Sequence, residues 1–326
     1  MRSSRLVRLA ALVAAMSLGT AACGSSDGDD SGDSKNETRT ITDTFLGDVT
    51  DVPVHPKRVV VLWRTGSEVV DLGVKPVGQL DGEILAEELG DEVYEKYKDV
   101  PVVGTFEGVD VEKVIELEPD LIIGMDHGGL SIDYEELKPV APTVIFKIAE
   151  PTDVWANYPK VADVLGLTTD FDKRNTELDA ELTKVADEYA DVLKARGEVT
   201  SVGAEYDGSV IYIDTSKSLT YDRLNKAGFT YNPDYTDDPD RYVEELTMEN
   251  VADLADQDIV FYDVNIDGSP AEGVDSILNL ESFKRLPAVK EGRLFPLTAG
   301  TFYTFDAAHK QIADIRAALD TLKSEG

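Results

Sequence analysis

Trp63 and Arg64 follow directly on the aliphatic run "RVVVL". A guanidinium at the end of a buried strand can donate several hydrogen bonds at once to the oxygens of a bound molecule. Comparable residues recur after other aliphatic runs. Phe106 stands after "VPVVG", His127 after "DLIIGMD", and Tyr206 closes "TSVGAEY". Lys217 lies in "TSKS", and Phe302 and Tyr303 lie in "TAGTFYTF". Polar-tipped aromatics beside one arginine and one lysine suit the capture of a bulky ligand with an apolar shell and a polar centre. Bond-breaking chemistry finds no comparable support. The chain has no Gly-x-Ser-x-Gly elbow, no phosphate loop, no His-Glu-x-x-His and no catalytic cysteine, so an enzyme is not expected. A bare metal ion needs several convergent ligands. The only histidines are His55, His127 and His309, with His55 ahead of the first strand and His309 in the last helix.

These residues need strands to hold them. Short continuous apolar runs at 58–63, 75–80, 100–104, 120–125 and 142–147 read as buried strands of a largely parallel sheet. "TGSEVVDLG" and "DVEKVIELEP" read as short helices between them. Runs at 200–206, 210–214, 258–264 and 292–298 repeat the strand pattern, and an amphipathic helix closes the chain. Between the halves, Leu178, Leu182, Val185, Tyr189 and Val192 recur at helical spacing. They predict one helix over 168–197, roughly 40 Å long, with Thr169 or Asp170 capping its start and Gly197 its end. The expected fold is α/β: two α/β lobes, 41–167 and 198–326, with mostly parallel sheets joined by one long rigid helix and a ligand cleft between them. A loose repeat supports two related lobes. "VEKVIELEPDLIIG" from Val111 and "MENVADLADQDIVF" from Met248 both run from an early glutamate, Glu112 or Glu249, through a helix into a strand.

Residues 1–22 carry Arg2, Arg5 and Arg8 before a short apolar run, the order of an export signal. The run is too short to be a permanent membrane span. It leads into "TAAC", whose Cys23 is the chain's only cysteine. This resembles a bacterial lipobox, so Cys23 is expected to carry lipid and to anchor the protein on the outer face of the cytoplasmic membrane. A lone cysteine excludes an internal disulfide. The polar stretch 23–40 reads as a disordered tether. A net charge of −33, with 64 acidic against 31 basic residues, makes nucleic acid an unexpected partner and suits an aggregation-resistant surface.

"VPVHPKRVVVL", "DLGVKPVGQ", "GVDVEKVIELEPDLIIG", "VADVLGL" and "AVKEGRLFPL" together resemble the helical-backbone (class III) substrate-binding lipoproteins of bacterial ABC importers. That family delivers ferric siderophores, haem and cobalamin. The resemblance runs from about Ile41 to the C-terminus. It implies a monomer without a resident cofactor, attached to the membrane through its lipid alone, that carries a ferric siderophore to a permease dimer. It further implies that Glu112 and Glu249 salt-bridge arginine pockets of the permease, with Glu244 and Glu245 as alternatives in the second lobe. Trp63, Arg64, Phe106, His127, Tyr206, Lys217, Phe302 and Tyr303 become the expected ligand contacts. Catecholate binders of the family concentrate arginine and lysine. Here Val264 and Asn265 stand where such a binder has arginine, which favours a trihydroxamate. Haem or cobalamin, with a His127–Asp126 contact to a haem or metal, remains an alternative, as does a surface scaffold or sensor without transport.

Overall fold

The computed structural model describes residues 37–196 and 198–324; Cys23 and Gly197 lie outside them. Eight strands precede the backbone helix: β1 (Thr38–Ile41), β2 (Val49–Pro53), β3 (Val59–Val61), β4 (Gly78–Leu80), β5 (Val102–Thr105), β6 (Gly108–Val109), β7 (Leu121–Asp126) and β8 (Thr143–Lys147). Six follow it: β9 (Glu198–Ala204), β10 (Val210–Asp214), β11 (Thr230–Tyr231), β12 (Val243–Thr247), β13 (Ile259–Val264) and β14 (Leu294–Thr298).

The first sheet runs β6-β5-β4-β3-β7-β8 and is parallel except at its β5–β6 edge. Both its faces are covered. Val59, Val61, Leu121, Ile123, Val144 and Phe146 join the core that continues into the second lobe. The alternate residues Val60, Leu62, Ile122 and Ile145 pack with Leu80, Val114 and Leu137 on the other face. Alternation buried on both sides is why these strands read as unbroken apolar runs.

The second sheet runs β12-β10-β9-β13-β14, with β11 alongside β9. Its β9–β13, β13–β14 and β9–β11 pairs are parallel, whereas β9–β10 and β10–β12 are antiparallel. This half is therefore more mixed than the sequence suggests. Edge strand β12 escapes the sequence reading because its residues Glu244 and Glu245 are exposed charges, a common protection of sheet edges.

The repeated corners occupy equivalent places. Helix Val111–Glu116 leads into β7, flanked by β3 and β8, and the 3₁₀ turn Met248–Leu254 leads into β13, flanked by β9 and β14. Asp110 caps the first, accepting from Lys113 N at 3.2 Å, while Thr247 makes no such bond in the second.

Three expectations need correction. Thr38–Ile41 pair antiparallel with Val49–Pro53, so the last residues assigned to the tether are part of the fold. The backbone helix spans Thr168–Glu188, breaks at Tyr189 (φ −112°, ψ 17°) and resumes over Ala190–Arg196. Tyr189 turns its hydroxyl to donate to Asp320 Oδ1 at 2.6 Å. The break slips the buried face by one position, so Leu193 is buried and Val192 only partly so. Finally, Leu167 holds the cap position without a side-chain bond, which leaves Thr169 and Asp170 inside the helix.

One buried carboxylate ties the first lobe, the backbone helix and the final helix (Phe305–Ser324) together. Asp71 accepts from Arg174 Nη2 at 2.9 Å, from the Tyr158 hydroxyl at 2.5 Å and from the Phe305 backbone N–H at 2.8 Å. Arg174 also donates to the Asp71 carbonyl at 2.7 Å and stacks 4.4 Å from the centre of the Phe305 ring. Trp155, Tyr158, Phe171 and Phe305 form an aromatic cluster around the hub.

Candidate functional site

A cavity of about 790 Å³ opens between the two sheets, lined from both lobes. The carboxyl ends of the parallel strands supply most of its wall, as expected for α/β lobes. Trp63 and Arg64 follow β3, Asp81–Glu83 follow β4, and Phe106 follows β5. From the second lobe come Gly203–Tyr206 at the end of β9, Asp263 and Asn265 at β13, and Ala299–Tyr303 after β14. At the rim the lobes meet directly, where Ile266 N donates to the Glu87 carbonyl at 3.1 Å.

Six of the eight anticipated contacts line this cavity: Trp63, Arg64, Phe106, Tyr206, Phe302 and Tyr303. Tyr303 is buried, and its phenol is pushed up chiefly by that burial. Phe106 and Tyr206, 57% and 76% exposed, stand free at the mouth, where rings can close over a bulky ligand. Arg64 has a left-handed backbone (φ 59°), an uncommon conformation for a residue other than glycine. Its guanidinium lies 5.5 Å from the Trp63 ring centre. No carboxylate among the described residues forms a salt bridge with it. It is the only basic side chain lining the cavity among the described residues, and it is free to bond a ligand.

His127 and Lys217 do not line the cavity. His127 is exposed and packs edge-on against Trp63 at 5.0 Å. Its neighbour Asp126 is buried and already accepts from the Tyr134 hydroxyl at 2.7 Å and Gly128 N at 2.6 Å. Lys217 follows β10, whose last residue Asp214 lines the cavity, but the turn after it carries Lys217 off the wall. Its ammonium donates instead to the Asp240 carbonyl at 3.0 Å.

Sequence reasoning missed the carboxyl groups. The lining contains nine of them. Glu68 is 3% exposed, and burial, reinforced by Glu88, raises its carboxyl well above the usual range. Glu83 accepts from Thr65 N and Gly66 N at 3.2 and 3.3 Å, yet burial still lifts it to about 7. Burial raises Glu88 as well. Opposite them, burial takes Asp214 to about 6 and drives Asp263 well above its normal value, with Asp214 adding to the effect. Asp263 Oδ1 is buried without a hydrogen-bond partner. Tyr212 and Tyr242 also line this wall. In so acidic a chain no single glutamate or aspartate was distinguishable by type. The available signal was position, because Glu83 and Asp263 stand at strand ends.

Glu112 and Glu249 are both exposed and both in first turns. Neither has a hydrogen-bond or ion-pair partner among the described residues. Glu245, by contrast, pairs with Arg241 at 3.3 Å.

Two related lobes, a connecting backbone helix and a cavity walled by strand ends are the architecture of a two-lobed binding protein. The chain belongs to the periplasmic binding protein family, whose model matches residues 84–301. It is 28% identical over 95% of its length to the putative ABC transporter substrate-binding lipoprotein YhfQ of Bacillus subtilis, covering 94% of that protein. The iron(3+)-hydroxamate-binding protein YxeB of the same organism is 27% identical, with 92% of this chain and 89% of YxeB covered. Among solved structures, the siderophore periplasmic binding protein from the fuscachelin gene cluster of Thermobifida fusca superimposes with a TM-score of 0.72. It is 22% identical over 83% of this chain and 98% of its own, a likeness of fold.

Proposed function

We propose that the protein is the extracytoplasmic receptor of an ABC importer, and that it captures a ferric siderophore, a trihydroxamate rather than a catecholate, for delivery to the permease. The observation that carries this reading is Arg64: a single unpaired guanidinium, backed by Trp63, in a cavity with aromatic rings at its mouth and floor. Hydroxamate oxygens around a ferric ion are good acceptors for such a fork. Relatives named for hydroxamate binding support the ligand class. The acidic lining works against a trianionic catecholate complex. Haem held through histidine is disfavoured because no histidine among the described residues lines the cavity. The protein acts by binding and release, without turnover. Lipid on Cys23 would hold it at the outer face of the membrane as a monomer, and Glu112 and Glu249 would orient it on the permease dimer.

The test is a fluorescence titration of the chain beginning after Cys23, which contains every element of the fold. Ferric trihydroxamate, ferric catecholate, haem and cobalamin are compared. The expected result is saturable quenching with submicromolar affinity for the trihydroxamate alone, weakened at least tenfold by Arg64→Ala. Silence toward all four from folded protein would overturn the reading.

A further inference from the structure

The chain as a whole has about two acidic residues per basic one, but the cavity has nine carboxyl groups against Arg64 alone. General surface acidity does not account for that excess. Buried carboxyls resist ionisation on their own, and a cation placed beside them stabilises the charged form. Nor do these groups satisfy one another. The Glu68 carboxyl, almost wholly buried, receives no hydrogen bond from another residue among those described, although the residue lines the cavity. On the opposite wall, Asp263 Oδ1 is buried without a partner. The Asp263 carboxyl is pressed against β9 where only Gly203 leaves room, since a Cβ there would meet Oδ2 at 2.6 Å. Its nearest charged neighbour is another carboxyl, Asp214. No salt bridge joins a basic residue to Asp263 or Asp214 among the described residues. A buried carboxylate with no cation beside it is a costly arrangement in the empty protein. A cationic group on the ligand would relieve it.

We propose that the cleft selects ferric hydroxamate complexes of net positive charge, in which Arg64 meets the chelate oxygens and a protonated primary amine on the ligand's periphery is held by Asp263 on the second-lobe wall, with Asp214 and Glu68 adding to the field. This rests on the hydroxamate reading above and deepens it. The selectivity is electrostatic, so salt weakens it.

The experiment compares two ligands with the same iron centre: ferric desferrioxamine B, which ends in a primary ammonium, and its N-acetylated form, which is neutral. Both are titrated into the chain beginning after Cys23 at low ionic strength and in 0.5 M salt. The ammonium form is expected to bind at least tenfold more tightly, with a gap that narrows in salt and narrows again in Asp263→Asn. Glu68→Gln provides a second variant should Asp263→Asn fail to fold, and the wild-type ligand pair is decisive without either. Equal affinity for the two ligands would overturn the cationic selection and leave the hydroxamate reading standing. Failure of both ligands to bind would overturn both.

Discussion

Replacing Asp71 with alanine removes the one acceptor shared by the first lobe, the backbone helix and the final helix. The carboxylate is 1% exposed, and Arg174 retains 27% exposure. Breaking a buried ion pair by deleting one partner costs about 3–5 kcal/mol. Partial rehydration of Arg174 moves this case toward the lower end. The Phe305 N–H also loses its acceptor, and a buried unpaired group costs about 1–3 kcal/mol, less where the site relaxes; the Tyr158 hydroxyl keeps the Glu68 carbonyl at 3.1 Å. A net loss of about 3–4 kcal/mol follows, a large part of the roughly 5–15 kcal/mol that stabilises a typical domain. Asp71→Asn keeps the shape and an acceptor oxygen, so it should lose about half as much. Urea unfolding followed by circular dichroism measures both variants, and the denaturant slope should stay constant because the surface exposed is unchanged. Arg174→Ala combined with Asp71→Ala should then cost less than the sum of the two single variants by at least 1 kcal/mol. A loss below 1 kcal/mol for Asp71→Ala, or additive single losses, would refute the view of Asp71 as the hub.

Two further outcomes are expected. Glu83 at about 7 and Asp214 at about 6 hold protons in the folded protein that unfolded carboxyls release near 4.5 and 3.8. The folded state therefore binds more protons across that window. The stability these groups contribute is complete below about pH 4 and is lost as pH rises through 6 and 7. Melting temperatures of the ligand-free protein from pH 4 to 8 should show Glu83→Gln and Asp214→Asn each removing on the order of 2 kcal/mol of that decline; an unchanged slope in both would count against the assignment. Separately, Glu112→Ala combined with Glu249→Ala should leave ligand affinity within about twofold and reduce iron uptake by cells at least tenfold, since exposed charges of this kind guide encounter and orientation. Normal uptake by the double variant would dismiss both as docking residues.

The strands were legible where burial on both faces makes the sequence continuous. Val59–Val61 and Leu121–Met125 read as strands because each successive side chain meets a core, first on one face and then on the other. Edge strands carried no such signature: Val243–Thr247 alternates partly buried apolar residues with exposed glutamates and resembles a loop until its pairing with β10 is known. Helical periodicity likewise located the backbone helix but could not register the break at Tyr189, where the hydroxyl donates to Asp320 on an element more than a hundred residues away.

The site divides along the same physical line. Placing contacts after strand ends succeeded at β3, β5 and β9, which is why Arg64, Phe106 and Tyr206 fall on the cavity. It failed at Lys217 because the ammonium is taken by the Asp240 carbonyl, a partner that long-range pairing of the second sheet brings in, while Asp214 at the end of the same strand reaches the wall. His127 sits at a proper strand end and still misses: it packs edge-on against Trp63, which lines the cavity, without lining it itself. The carboxyl groups were invisible for a different reason. In a chain with 64 of them, residue type says nothing, and what distinguishes Glu68 or Asp263 is loss of solvent without gain of a partner. That property belongs to the folded arrangement of two lobes, and it is the property that gives the empty cleft its demand for positive charge.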